Sequence, residues 1–305
     1  MKAMRILFHR DFKEYTGGHG KVWDYFNHAI ALGLDARVYL TPDSLRDASN
    51  PWLSIPERIE SAWQPEKADL LFLAGMDWAE LGAFDTLDIP VINLVQHVRH
   101  ADPALPLRPF LSRQAWRICV SRAVSEAIVA TGEVAGAVRV IPAALNLPAI
   151  EPAFSGARHG VFIGAFKNPV LGQSLHELLE RQGQTARLST NWLARRDFLD
   201  ALASAHTAVL LPHATEGFFL PGLEAVALDC AVVMPNCTGN SEYAVDGFNC
   251  LMPASTASSL SAALARLQDG HLHASVRKAG WQTAARHTLL GEREAFASVL
   301  AEVWP

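Results

Sequence analysis

The chain has 305 residues, half of them hydrophobic and 19% charged, with 31 acidic side chains against 26 lysines and arginines for a formal charge of −5. That length suits two domains of about 150 residues each, and the apolar content excludes a disordered chain. The negative balance offers no general attraction to nucleic acid.

Met1-Lys2-Ala3-Met4-Arg5 resembles a signal n-region, but only Ile6, Leu7 and Phe8 follow before His9, a run too short for export. Short apolar runs then recur at Arg5–His9, Ala36–Leu40, Asp69–Ala74, Val91–Val95, Ile118–Ser121 and Val138–Ile141, separated by stretches compatible with helix. Runs without polar alternation suit parallel strands covered on both faces, so residues 1–147 read as a doubly wound, Rossmann-like α/β domain. Between Pro142 and Ala157 prolines and poor periodicity mark a linker. A second alternating series has strands near Val161–Ala165, Ala186–Ser189, Ala208–Leu211, Ala231–Met234 and Cys250–Met252, which makes residues 148–288 a second such domain. The tail is helical, with Leu260, Leu264 and Leu267 on one face and Phe296, Val299, Leu300 and Val303 on another; residues 289–305 form a last helix that can pack back on the first domain. Open parallel sheets bind ligands beyond the carboxyl ends of their strands, so two such sheets facing a central cleft would put the site there. Cys119, Cys230, Cys237 and Cys250 lack paired spacing and read as reduced core thiols, and no apolar run reaches the roughly 18 residues of a membrane span. The expected location is cytoplasmic, with peripheral contact at the inner face of a membrane left open.

The most informative stretch is His213-Ala-Thr-Glu216-Gly217-Phe218-Phe219-Leu220-Pro221-Gly222-Leu223-Glu224-Ala225, after a predicted strand and opening a helix. Pro221 suits the first helical turn, which places Glu224 in that turn and Glu216 in the loop before it. Free N–H groups at Phe218 to Leu220 could then meet phosphate oxygens, and the carboxylates could accept hydrogen bonds from sugar hydroxyls. Acidic residues near a helix start are also common as plain dipole partners. A second strand, a glycine turn at Gly239 and a further helix start through Glu242 follow.

In these residues the sequence closely resembles the family-4 glycosyltransferases, retaining enzymes of GT-B fold marked by Glu, seven residues, Glu, then a Gly-x-x-Glu loop. Glu216, Pro221, Glu224-Ala225, Val232-Val233, Gly239, Glu242, Gly247 and Asn249 carry the likeness in order, with a weaker trace back to the Gly17-Gly18 turn. The resemblance implies that Glu216 holds a donor-sugar hydroxyl and Glu224 the ribose hydroxyls, while the amides of Phe218, Phe219 and Leu220 approach sugar and phosphates beside Gly239 and Glu242. It implies further that Gly17 and Gly18, lying between the first strand and a helix from Val22 to Leu32, pack against the donor phosphate, and that His97 reaches the transferred sugar. His97 and His100 could also be weighed as a metal pair, but no third ligand has a recognisable spacing and the chain has no Asp-x-Asp, so neither metal nor cofactor is expected.

Four positions depart from the family, with Phe219 and Cys250 each standing for a usual glycine and two cations missing. Ala165 stands where an arginine is usual and Leu171 where a lysine is usual, cations that neutralise the departing diphosphate; Lys167 is the nearest substitute. The segment Leu105 to Arg117 combines Arg108, Arg113 and Arg117 with large apolar groups, a composition for an anionic lipid or acceptor, or for a buried helix with snorkelling arginines. The expected activity is therefore retaining, metal-independent transfer of a sugar from a nucleotide diphosphate sugar to a saccharide or lipid-linked acceptor. The alternatives are a non-catalytic GT-B binding module, which Ala165 and Leu171 motivate, and a sugar-nucleotide epimerase. Donor base, acceptor and oligomeric state are not legible in the sequence.

Overall fold

The computed structural model describes residues 3–84, 88–147, 158 and 160–304. Residues 148–157 of the expected linker lie outside them. The chain divides into two compact units, Met1–Ala143 with Leu289–Pro305, and Ala144–Thr288.

The first unit contains β1 (Arg5–Arg10), α1 (Gly17–Ala31), β2 (Asp35–Leu40), β3 (Ile59–Glu60), β4 (Leu70–Ala74), β5 (Val91–Val95), β6 (Trp116–Cys119), α2 (Arg122–Val129) and β7 (Val138–Val140). Every strand pairing in it is parallel and the spatial order is β3-β2-β1-β4-β5-β6-β7. β4 and β5 are buried at every position, as continuous apolar runs require of strands covered on both faces. Most crossovers are not α-helices. Single turns of 3-10 helix at Pro51–Ser54, Pro56–Arg58 and Pro65–Lys67 each begin at a proline, which fixes the first turn and removes a donor that longer helix would use.

The helix expected from Val22 starts earlier, at Gly17, because Thr16 caps it by accepting a hydrogen bond from the His19 N–H. Gly17 and Gly18 are thus its first turn and not a turn before it. The arginine-rich segment is not a buried α-helix either: Arg108–Ser112 is a 3-10 turn, and β6 begins at Trp116. Its cations are spent on structure. Arg108 pairs with Glu133, Arg113 lies over the rings of Trp78 and Phe110, and buried Arg117 donates to the carbonyls of Phe110, Leu111 and Arg113.

The second unit contains β8 (Val161–Gly164), α3 (Pro169–Arg181), β9 (Ala186–Ser189), α4 (Arg195–Ser204), β10 (Thr207–Leu210), α5 (Leu220–Ala227), β11 (Ala231–Val233), α6 (Ala257–Arg266) and α7 (Gly270–Ala284). Its parallel sheet has the order β11-β10-β8-β9. The strand expected at Cys250–Met252 is reduced to a bridge between Leu251 and Val233. Leu251 exchanges bonds with Val232 and Met234, but Pro235 and Pro253 supply no N–H to extend the ladder. The last helix, α8 (Leu289–Val303), belongs to the first unit, where Phe296 packs on Tyr25 with ring centroids 5.1 Å apart. Beside it Glu292 bonds Lys21 at 2.7 Å and His28 at 2.9 Å, and Lys21 also bonds Asp24 at 2.8 Å.

In the second sheet the chain runs from β8 outward to β9, then back past β8 to β10. The order therefore reverses between β8 and β10, and at such a switch point the loops leaving the two strands part to form a crevice at their carboxyl ends. Those loops carry Lys167 and Glu216.

Candidate functional site

β8 ends at Gly164, and three residues later the Lys167 ammonium lies 2.8 Å from both carboxylate oxygens of Glu216. Glu216 follows β10, is 6% exposed, and also accepts the His213 N–H at 3.1 Å. Its backbone is held by Thr238, which accepts the Glu216 N–H at 2.7 Å and donates to the Glu216 carbonyl at 2.5 Å. The Lys167 ammonium also stands 5.5 Å from the centroid of the Phe219 ring, close enough for a cation–π contact.

Gly239 explains why this loop needs glycine. A Cβ there would meet the Cβ of Glu216 at 2.6 Å, the Phe219 nitrogen at 2.9 Å and the Phe218 nitrogen at 3.0 Å. The amides are less open than expected, since the Phe219 N–H donates to the Gly239 carbonyl and the Leu220 N–H to the Phe218 carbonyl. The Phe219 carbonyl in turn accepts the Tyr243 hydroxyl at 2.6 Å. Residues 238–243, including Glu242, form turns and not a second helix start. Asn240 holds them, accepting the Cys237 N–H and donating to the Pro235 carbonyl, bonds that compete with helix.

Glu224 lies in α5 past its first turn, which holds no acidic residue, so it is not the dipole partner its spacing suggested. Its side chain is 5% exposed and meets Arg195 Nη1 at 2.6 Å. Burial raises its pKa, and the Arg195 charge and hydrogen bond work against that rise. Arg195, the first residue of α4, was not singled out from the sequence: nothing in its spacing relates it to a carboxylate 29 positions on. Tyr243 was not singled out either, although its place directly after Glu242 put it within the motif.

Gly17, Gly18 and His97 are on the first unit. The Gln96 amide donates to the Gly18 carbonyl at 3.2 Å, which brings the start of α1 to the end of β5, and His97 Nδ1 accepts the Arg99 N–H at 3.0 Å. His100 is buried, which lowers its pKa to about 4. At the switch point of this sheet, between β1 and β4, His9 Nδ1 lies 3.1 Å from Asp77, which also takes Arg10 and the Ala74 N–H. The sequence reading missed this cluster, whose members carry no recognisable spacing.

Together the two parallel sheets, each with its own switch point, define a protein of GT-B fold. Residues 146–269 match the model of the family described as Glycosyl transferases group 1, a span that contains Lys167, Arg195, Glu216, Glu224 and Gly239. No curated protein matches by sequence. Among solved structures the chain is similar to HepE of Anabaena in complex with UDP and glucose, at 16% identity over 98% of this chain and 100% of that one, with a TM-score of 0.74. Sucrose-phosphate synthase of Thermosynechococcus elongatus gives a TM-score of 0.73 at 13% identity over 99% of both chains. The α,α-trehalose 6-phosphate synthase of Burkholderia multivorans gives 0.65 at 11% identity over 99% of this chain and 97% of that one. Among the described residues no helix is long and apolar enough to cross a membrane.

Proposed function

We propose that the chain transfers a sugar, with retention of configuration and without a metal, from a nucleotide diphosphate sugar to a saccharide or lipid-linked acceptor. The observation that carries this reading is a pair of nearly buried carboxylates after β10, each on a cation: Glu216 on Lys167 at the switch point, with Gly239 packed against it, and Glu224, in α5, on Arg195. Buried carboxylates held by a cationic partner offer oxygens that can accept sugar and ribose hydroxyls as water leaves. Glu216 takes a hydroxyl of the transferred sugar and Glu224 the ribose. Gly17, Gly18 and His97 are assigned by resemblance to the phosphate and the reacting sugar. The leaving phosphate oxygen accepts the acceptor proton, so no side-chain nucleophile is required. The absence of Asp-x-Asp in the sequence supports a metal-free route. The family match and the UDP and glucose named with HepE support a nucleotide-sugar donor.

Incubation with UDP-, ADP- and GDP-sugars, following nucleotide diphosphate release and product anomer by NMR, tests it. Glu224→Ala should weaken nucleotide affinity, whereas Glu216→Ala should lower turnover more than binding. Unchanged kinetics in both variants would sink the assignment. A non-catalytic binding module is favoured by one observation, the loss of both usual diphosphate cations to Ala165 and Leu171. Binding without transfer or donor hydrolysis, with acceptors supplied, would select it.

A further inference from the structure

The cation of the loop after β8 is engaged by a carboxylate. Lys167 is the cation of the loop after β8, with Ala165 fully buried and Leu171 apolar on either side of it. Its ammonium sits symmetrically on Glu216, 2.8 Å from each oxygen. In that state both oxygens of Glu216 are engaged, one of them also by the His213 N–H, and the charge of Lys167 is neutralised. Two of the three ammonium donors and three of the roughly four acceptor positions of Glu216 are thereby taken, so each has little left to offer a ligand while it holds the other.

We propose that Lys167 and Glu216 form an exchange switch: the diphosphate of the donor draws Lys167 off Glu216, and the carboxylate thereby released takes up the hydroxyl of the donor sugar. This rests on the nucleotide-sugar reading above and adds an order of events to it. Three features suit the exchange. The side chain of Lys167 is 19% exposed against 8% for Glu216, so the cation is the member with room to move. Its long stem rotates about a fixed backbone, and a diphosphate offers an ammonium more negative charge than one carboxylate does. The Phe219 ring, 1% exposed and 5.5 Å from the ammonium, gives the cation a second contact that does not depend on the carboxylate. Glu216, in contrast, is held on both sides of its peptide by Thr238 and stays where it is.

The exchange makes a prediction opposite to simple intuition about a binding-site residue. If Glu216 competes with the diphosphate for Lys167, then E216Q, which fills the same space, should bind the bare nucleotide diphosphate more tightly. Calorimetric titration of the full chain with UDP, ADP and GDP, each in turn, measures this. For the nucleotide that binds, K167M should weaken affinity about ten-fold, the loss of a charge-assisted contact, and E216Q should tighten it about three-fold or more, the release of a partly exposed ion pair. The double variant K167M/E216Q decides between the exchange and plain removal of negative charge. Under the exchange, E216Q brings no gain once Lys167 is absent; an equal gain in both backgrounds would overturn the proposal. So would K167M binding like the wild type. K167R should retain most of the affinity, and K167Q replaces K167M should the latter fail to fold. Binding of a nucleotide with none of these differences defeats the exchange alone, while no binding by any form defeats the nucleotide reading and the exchange with it.

Discussion

Replacing Arg195 with methionine removes the cation 2.6 Å from Glu224 and leaves a carboxyl that is 5% exposed. Breaking a buried ion pair from one side costs about 3–5 kcal/mol when the remaining group stays charged. Glu224 has a way out, since burial already raises its pKa against the pull of Arg195. Without Arg195 it holds its proton to still higher pH in the folded chain, while in the unfolded chain it ionises in the ordinary glutamate range. The folded state then binds more protons than the unfolded state across that window, so stability falls as pH rises. The limiting slope is about 1.4 kcal/mol per pH unit. Urea unfolding of wild type and R195M at about pH 4.5 and about pH 8 should therefore give a small difference in the acid, mainly lost packing, and one approaching the buried-pair cost in the base. With E224Q as the reference, the effect of R195M should be the same at both pH values. A difference of equal size at both pH values would refute the claim that Glu224 depends on Arg195 for its charge.

Other consequences follow from the same geometry. Gly239→Ala places a methyl group 2.6 Å from the Glu216 Cβ and 2.9 Å from the Phe219 nitrogen, so it should destabilise by about 1–3 kcal/mol, read from urea unfolding, and raise KM for the donor. Glu292→Ala leaves Lys21 and His28 without their shared carboxylate in a place where each is about 5% exposed or less; a loss of about 3–5 kcal/mol and earlier proteolytic cleavage of α8 are expected. Tyr243→Phe removes the 2.6 Å bond to the Phe219 carbonyl, which keeps the Gly222 N–H at 3.2 Å, a cost of about 0.5–1.5 kcal/mol in thermal unfolding.

Strands were legible because burial on both faces leaves a nearly uninterrupted apolar run: Val91–Val95 stands where the pattern put it. Crossovers were not, because a stretch such as Pro51–Arg58 has the length for a helix but is divided by prolines into single turns. The start of α1 shifted for a local reason, a threonine cap that outweighs the poor helix propensity of Gly17 and Gly18. At the site, the Glu216–Glu224 spacing marked the right loop, but its expectation of open amides failed at Phe219 and Leu220, whose N–H groups are taken by carbonyls. The partners of the two carboxylates were the least legible part. Lys167 was named as a cation for a phosphate, and its contact with Glu216 depends on two loops meeting at a switch point, 49 residues apart in sequence. Arg195 reaches Glu224 in the same way, across helices whose packing no periodicity reveals.

The most direct test of the central claim is thermal unfolding of the wild type and Glu224→Ala against UDP, ADP, GDP and their sugars. A ligand that binds only the folded chain adds about 2.7 kcal/mol at 100 times its dissociation constant, enough to move the midpoint visibly. The account predicts a shift with one nucleotide series that is lost in Glu224→Ala. No shift with any series, or one that persists undiminished in the variant, would contradict it.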